Sequence, residues 1–323
     1  MARLVPAVFV FCGVCAAALL CLALPGRAQS SVQSAGKPPA SIETVTVTAE
    51  RIPPAVVRAF VQSYARIASS SLEEITRWKK PICVGTDGLS TEDLNQFVTQ
   101  RVNQLATESG VPVIAFPCKF NIEIIFTSDP QGFLDRVRVE GPALLSPKRS
   151  QIATVAVMHH PIQAWYATGI EDRNGTLVLN DEETTNFTSS ANGMNGGMGP
   201  LATVPTLNVE GSLLRTGLQS EMAHVYVIAD TNKTSDFHLG PIADYIAMLA
   251  LSQAQAFDEC RPLPSITNLF VENCGAALKP ASITDPDIAY LRGVYKMDPG
   301  ANFQIQQSTI AGEIEKAVQG NGF

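Results

Sequence analysis

Three consecutive runs decide the fold class: Pro81-Ile82-Cys83-Val84-Gly85, then Ser90-Thr91-Glu92-Asp93-Leu94, then Asn121-Ile122-Glu123-Ile124-Ile125-Phe126-Thr127. The first is short, apolar and bounded by Pro and Gly, as a buried strand is. The second is a polar cap followed by two acids, which suit the positive end of a helix. Leu94, Phe97, Val98, Val102 and Leu105 then recur at helical spacing until Gly110 stops the run. The third sets Ile122, Ile124 and Phe126 against Asn121, Glu123 and Ile125, the period of a strand. Residues 78–128 therefore read as strand, helix, strand, and the class expected is α+β, a mixed sheet with packed helices.

The same reading extends in both directions. Upstream, Val57, Phe60, Val61, Tyr64, Ile67 and Ala68 mark an amphipathic helix opening at Pro54. Downstream, Ile152–Met158 and Gln163–Ile170 read as strands, and Arg173-Asn174-Gly175 as a hairpin turn into Thr176–Leu179. Residues 184–206 are rich in Asn, Gly, Ser, Thr and Met and read as a long loop. A strand over 223–229, a loop over 230–238 and helices over 239–255, 285–295 and 305–318 complete the pattern. One α/β domain over 54–323 is expected, with 54–150 and 151–323 as candidate sub-units.

The N-terminus reads as an export signal: Arg3, an apolar run from Leu4 to Leu24, then Gly26-Arg27-Ala28. A retained anchor is the alternative, since the run approaches the ~20 residues that span a bilayer. Pro25, Gly26 and Ala28 favour cleavage near Ala28, leaving a periplasmic or secreted chain that meets the membrane only through the signal peptide. Residues 29–53 read as a polar leader containing one solitary strand signal over 42–51, with Glu43, Val45, Val47, Thr48 and Arg51 as its candidate partner-binding residues. This stretch resembles the TonB box of outer-membrane receptors. The resemblance covers about ten residues and implies a TonB-linked adaptor that binds an envelope protein by β-strand addition. The rival reading is that the strand pairs with the protein's own sheet. A whole receptor does not fit, because 7% aromatic residues in a chain this short cannot furnish its lipid-facing strands. Uncharacterised exported bacterial proteins with such a stretch after the signal are similar as well.

Without residues 1–28, 21 Lys and Arg face 30 Asp and Glu, a net charge of −9, which disfavours nucleic acid and anionic lipid. The same cut leaves Cys83, Cys118, Cys260 and Cys274, an even set suited to disulfides in an oxidising compartment. Of three pairings, Cys83 with Cys118 and Cys260 with Cys274 join near neighbours. No C-x-x-C exists and no His stands at ligand spacing from a Cys, so a zinc site is not expected. Gly193, Gly196, Gly197 and Gly199 have no strand leading in and no Lys-Ser or Lys-Thr after them, so no phosphate cradle is read there.

Residues 223–296 resemble the back half of matrixin-type zinc peptidases: strand, loop, apolar helix, then Pro264-Ser265-Ile266-Thr267-Asn268, and a closing helix opened by Thr284-Asp285-Pro286-Asp287. In that family a Ser-Ile-Met turn lies beneath the metal. Here Thr267 replaces the Met, and the helix that should carry H-E-x-x-H reads Ile242-Ala243-Asp244-Tyr245-Ile246-Ala247-Met248. The resemblance thus implies a degenerate zincin-like architecture without its metal. No catalytic, cofactor or metal residue is assigned, and the function expected is non-enzymatic binding or interaction in the envelope or periplasm. The alternative is a metal-dependent or other periplasmic hydrolase with a non-standard site built from His224, Asp236, His238 and Asp244. His159 and His160, adjacent on a strand, would point to opposite faces. Asp181, Glu182 and Glu183 read as a solvated turn.

Overall fold

The computed structural model describes residues 52–64, 74–141, 145, 152–172, 174–179, 217–254 and 258–320. The signal region, the 42–51 strand, Ile67 and Ala68, the acids at 181–183 and the 184–206 loop lie outside the described residues.

The deciding passage folds as read. β1 (Val84–Asp87) leads into α2 (Glu92–Ser109), whose N-cap Thr91 accepts from the Leu94 amide and whose C-cap is Gly110 at φ 91°, a left-handed turn that glycine adopts without strain. β2 (Ile122–Thr127) follows, with alternate residues buried. β3 (Ile162–Asp172) and β4 (Leu177–Leu179) form the hairpin, its turn held by Asp172 Oδ1 accepting from the amides of Asn174 and Thr176. β5 (Leu218–Asp230) is longer than its apolar core suggests. The sheet order is β1-β2-β5-β3-β4: β1, β2 and β5 run parallel, while β3 opposes β5 and β4. The sheet is mixed and the class is α+β. Strands from both candidate sub-units share this one sheet.

One face of the sheet carries Ile122, Ile124, Phe126, Val225, Val227 and Ala229, packed under α2 and α4 (Leu239–Ser252). Only one side of α4 reads as apolar by spacing, yet every residue from Ile242 to Ser252 is buried. The sheet, α2, the turn at Ile266–Asn268 and α5 (Asp285–Lys296) surround it. Fully burying Ile246, Leu249 and Leu251 contributes on the order of 2 kcal/mol each. α1 (Pro54–Tyr64) and α6 (Phe303–Gly320) complete this layer. α1 buries Val57, Phe60, Val61 and Tyr64 as its spacing requires, whereas Leu94 and Phe97 of α2 remain 38% and 45% exposed.

The opposite face carries a smaller core, in which Trp165 and Ile228 meet Leu134 of α3 (Pro130–Glu140), Ile152 and Ala156. Here the sequence reading needs correction, because Ile152–Val155 is a helical turn and not a strand. Ile152 and Ala156, four apart, both reach the core only if the chain coils. Trp165 Nε1 donates to Val155 O at 2.8 Å, and Gln131 bonds Ala156 O and the Met158 amide, which fixes the turn. The disulfides are Cys83–Cys118 and Cys260–Cys274, with Cα atoms 6.2 and 5.3 Å apart. No helix among the described residues is long and apolar enough to cross a membrane. The disulfides are compatible with an exported chain.

Candidate functional site

Strand alternation sorts the polar residues of β5. Val225 and Val227 enter the larger core, so His224 and Tyr226 point to the opposite face. The parallel register sets Glu123 of β2 beside Tyr226. A bulge between Ala167 and Thr168 skips Ala223 and returns Glu221 to the same face as His224, opposite Gly169, with Glu171 two residues on. One half of this face is the apolar cluster under α3. The other half is a row of ionisable groups: Glu171, Glu221, His224, Glu123 and Tyr226.

His224 Nε2 lies 3.1 Å from Glu123 Oε1, with side chains 19% and 35% exposed. The imidazole ring sits 4.7 Å from that of Tyr226. The His224 contact comes first among the causes that hold the Glu123 carboxyl below its ordinary range, outweighing partial burial. Burial, and then the Glu123 charge, push the Tyr226 phenol up to about 12.

Deeper in the row, Glu221 is 1% exposed, and among the described residues neither of its oxygens accepts a hydrogen bond. Its nearest cation is Lys80 Nζ, 3.7 Å from Oε2. Glu171 pairs with Lys79, whose ammonium is pulled below its ordinary pKa by burial, against the opposing field of Glu221. The lysine-bearing segment is anchored by Arg77, whose Nη1 donates to the carbonyls of Val294, Tyr295 and Met297 at the end of α5. Such a row offers charge and hydrogen bonds of both signs to a polar ligand, and among these five residues there is no hydroxyl or thiol nucleophile of the Ser or Cys kind.

The residues singled out in the sequence fall in three places. His224 belongs to this row. Asp244 lies across the sheet on α4, 2% exposed, where Arg101 Nε donates to Oδ1 at 2.5 Å and the Ile283 amide to Oδ2 at 2.8 Å. Asp236 and His238 sit exposed on the loop before α4, and His238 occupies its N-cap without a side-chain cap bond. The structure therefore does not bring His224 together with Asp244. His160 stands 3.7 Å from Asp258. Among the described residues no three His, Cys, Asp or Glu side chains are placed to hold a metal ion.

A second polar group was not foreseen. Tyr64 Oη lies 2.6 Å from Ser265 Oγ, 2.7 Å from Thr267 Oγ1 and 3.1 Å from Asp287 Oδ1. Ser265 Oγ and the Ile266 amide donate to Asp287 at 2.6 and 2.8 Å, and Asp287 closes a capping box with Thr284. Arg261 stacks 4.7 Å above the Tyr64 ring. Burial raises the pKa of both Asp287 and Tyr64, with the Asp287 charge adding to the shift of Tyr64. All four hydroxyl and carboxyl residues are at most 1% exposed, so this network fastens the 265–268 turn to α5 and does not face a ligand. The Thr284-x-x-Asp287 spacing was its one legible signal.

Compared with protein-family models, characterised proteins and solved structures, the chain finds no match.

Proposed function

We propose that the chain is an exported protein, periplasmic or secreted after cleavage near Ala28, that works by binding and not by catalysis, with the Glu123–His224–Tyr226 row as its ligand contact. The observation that carries this is the half-open His224–Glu123 pair, continued inward by Glu221 and Glu171 under Lys79 and Lys80. The Glu123 carboxyl, held below its ordinary range by His224, and the Tyr226 hydroxyl offer an acceptor and a donor to a polar group. The two disulfides support an oxidising destination. The degenerate zincin-like architecture is supported by the 265–268 turn bound to the opening of α5, and by an apolar α4 in which Arg101 and the Ile283 amide occupy the only acid.

The test is capture of partners and ligands from envelope extract by the chain freed of residues 1–28, by a Glu123→Gln/His224→Gln variant, and by a deletion of 42–51, with metal analysis of each. Loss of the captured species in the double variant, its fold intact, supports the binding row. Loss only on deleting 42–51 moves the function to strand donation, the TonB-linked adaptor reading. Stoichiometric zinc with capture unchanged replaces both with an unconventional metallohydrolase.

A further inference from the structure

The outer edge of the sheet has features of its own, apart from the His224 row. Hydrogen-bond direction along β1 exposes it. The Ile122 amide donates to Cys83 O, which turns the backbone groups of Cys83, Gly85 and Asp87 towards β2. In a parallel ladder successive residues point to opposite sides, so those of Ile82, Val84 and Thr86 point outward. Ile82 is already paired: its amide donates to Pro112 O and its carbonyl accepts from the Ile114 amide, both at 2.8 Å, in a parallel bridge. The outward groups of Val84 and Thr86 meet no backbone partner among the described residues. The 112–114 segment thus begins a sixth strand that stops after one residue pair.

Where it stops, the surface turns apolar. Ile114, Phe116 and Phe120 are 45%, 79% and 39% exposed. Phe116 and Phe120 stack with centroids 6.4 Å apart, and the Cys83–Cys118 disulfide ties their loop to the residue before β1. The Phe120 ring lies so close over Gly85 that a Cβ there would fall 2.9 Å from it. A strand edge with backbone groups unmet at Val84, 7% exposed, and at half-buried Thr86, beside a braced aromatic pair, supplies what strand addition requires: backbone groups for affinity, and a side-chain platform for specificity.

Charge sets the direction of the incoming strand. Lys80 and Lys119 stand exposed at the start of β1, while Asp87, Glu92 and Asp93 stand exposed at and beyond its end. A parallel strand, continuing the sense of 112–114, should begin with an acid, alternate β-branched residues and finish with a base. Glu43-Thr44-Val45-Thr46-Val47-Thr48-Ala49-Glu50-Arg51 has that order. We infer that the outer edge of β1 accepts residues 43–51 of a second copy of this chain, with Val45 and Val47 laid against Phe116 and Phe120.

Sedimentation velocity of the chain freed of residues 1–28, from low micromolar to hundreds of micromolar, tests this with one donor and two acceptor variants. Val47→Pro removes a donor amide from the 43–51 segment. Thr86→Pro removes an amide that points away from β2, so the ladder within the protein keeps its bonds. Phe116→Ser strips the platform and leaves the backbone untouched, which keeps the test sharp should Thr86→Pro fail to fold. The expected result is self-association weakened about tenfold or more by Val47→Pro and by Phe116→Ser, with far-ultraviolet circular dichroism unchanged. A chain that sediments as a monomer throughout overturns the inference, as does association that survives Val47→Pro.

Discussion

Replacing Asp287 by Ala should be among the most damaging single changes available to this fold, whereas Asp287→Asn should be nearly silent. The carboxylate is fully buried and accepts from the Ile266 and Thr284 amides, from the Ser265 and Thr284 hydroxyls and from Tyr64. In the alanine variant the hydroxyls can re-aim, because Tyr64, Ser265 and Thr267 already bond one another and Thr284 also donates to Pro264 O. The two amides have no such choice, and each stranded donor costs about 1–3 kcal/mol. With the loss of the cap, the sum is about 3–5 kcal/mol, a large part of the ~5–15 kcal/mol that holds a domain. Asparagine keeps one oxygen for the two amides and offers its NH2 to the Ser265 and Tyr64 oxygens, so about 1 kcal/mol or less is expected. The pH dependence separates the two further. Burial raises the folded pKa of Asp287, so stability from this group is complete below the unfolded value of about 3.9 and is lost as pH rises through the folded value. Relative to the Asn variant, wild type should lose stability across that interval and hold level above it. Urea titrations followed by the fluorescence of buried Trp78 and Trp165, disulfides intact, give both numbers. An alanine cost below about 1 kcal/mol, or an asparagine cost equal to it, would refute the assignment of the two amides as the penalty.

Arg101→Ala should cost about 2–3 kcal/mol by leaving Asp244 buried with one amide donor, and Asp244→Asn in an Arg101→Met background, which removes the charge and keeps an oxygen for the Ile283 amide, should restore most of it by thermal denaturation. Gly293→Ala should cost about 2 kcal/mol, because its Cβ would fall 2.7 Å from Ile310 Cα and force α5 from α6; a Tm matching wild type would contradict that packing. Paired Cys→Ser replacement at Cys260 and Cys274 should cost about 3 kcal/mol for a separation of 14 residues, and non-reducing peptide mapping should recover both predicted crosslinks. His224→Gln should raise the carboxyl pKa of Glu123 in an NMR titration. Any stability that pair supplies is present above the unfolded carboxyl value and lost as pH falls through the lowered folded one.

Local signals carried most of the elements. Caps, Gly stops and periodicity gave β1, α2 and β2, and nearness along the chain gave the disulfides. Where tertiary contacts bury polar groups, the signal failed. β5 begins at Leu218 and not at Ala223, because Ser220 and Glu221 break the apolar period and meet Thr76, Glu74 and Lys80, which lie some 140 residues away. α3 buries Leu134 alone, too little for a pattern, although Asp129 and Pro130 marked its start. His224 stood out only because His is scarce. Its partner Glu123 reaches it through the parallel register of β2 on β5, which no spacing within either strand encodes.

Four acids of this protein, Asp244, Asp287, Glu221 and Glu123, differ in what they meet, and the difference bears on where recognition can occur. Asp244 and Asp287, in the layer over the first face, each accept from a backbone amide of a neighbouring segment. Freeing either for a ligand would strand that amide, so both are committed to the fold. Glu221 and Glu123, on the second face, meet a side-chain cation and an imidazole, and among the described residues no backbone amide donates to either carboxylate. Lysine and histidine side chains can swing to a new partner at modest cost, and an acid they release stays served by the ligand that displaced them. The second face thus offers a partly buried charged pair that can be exchanged for an external partner without stranding a backbone amide. That exchange, more than the count of charges, is why the His224 row is the candidate for binding and the Asp244 helix is not.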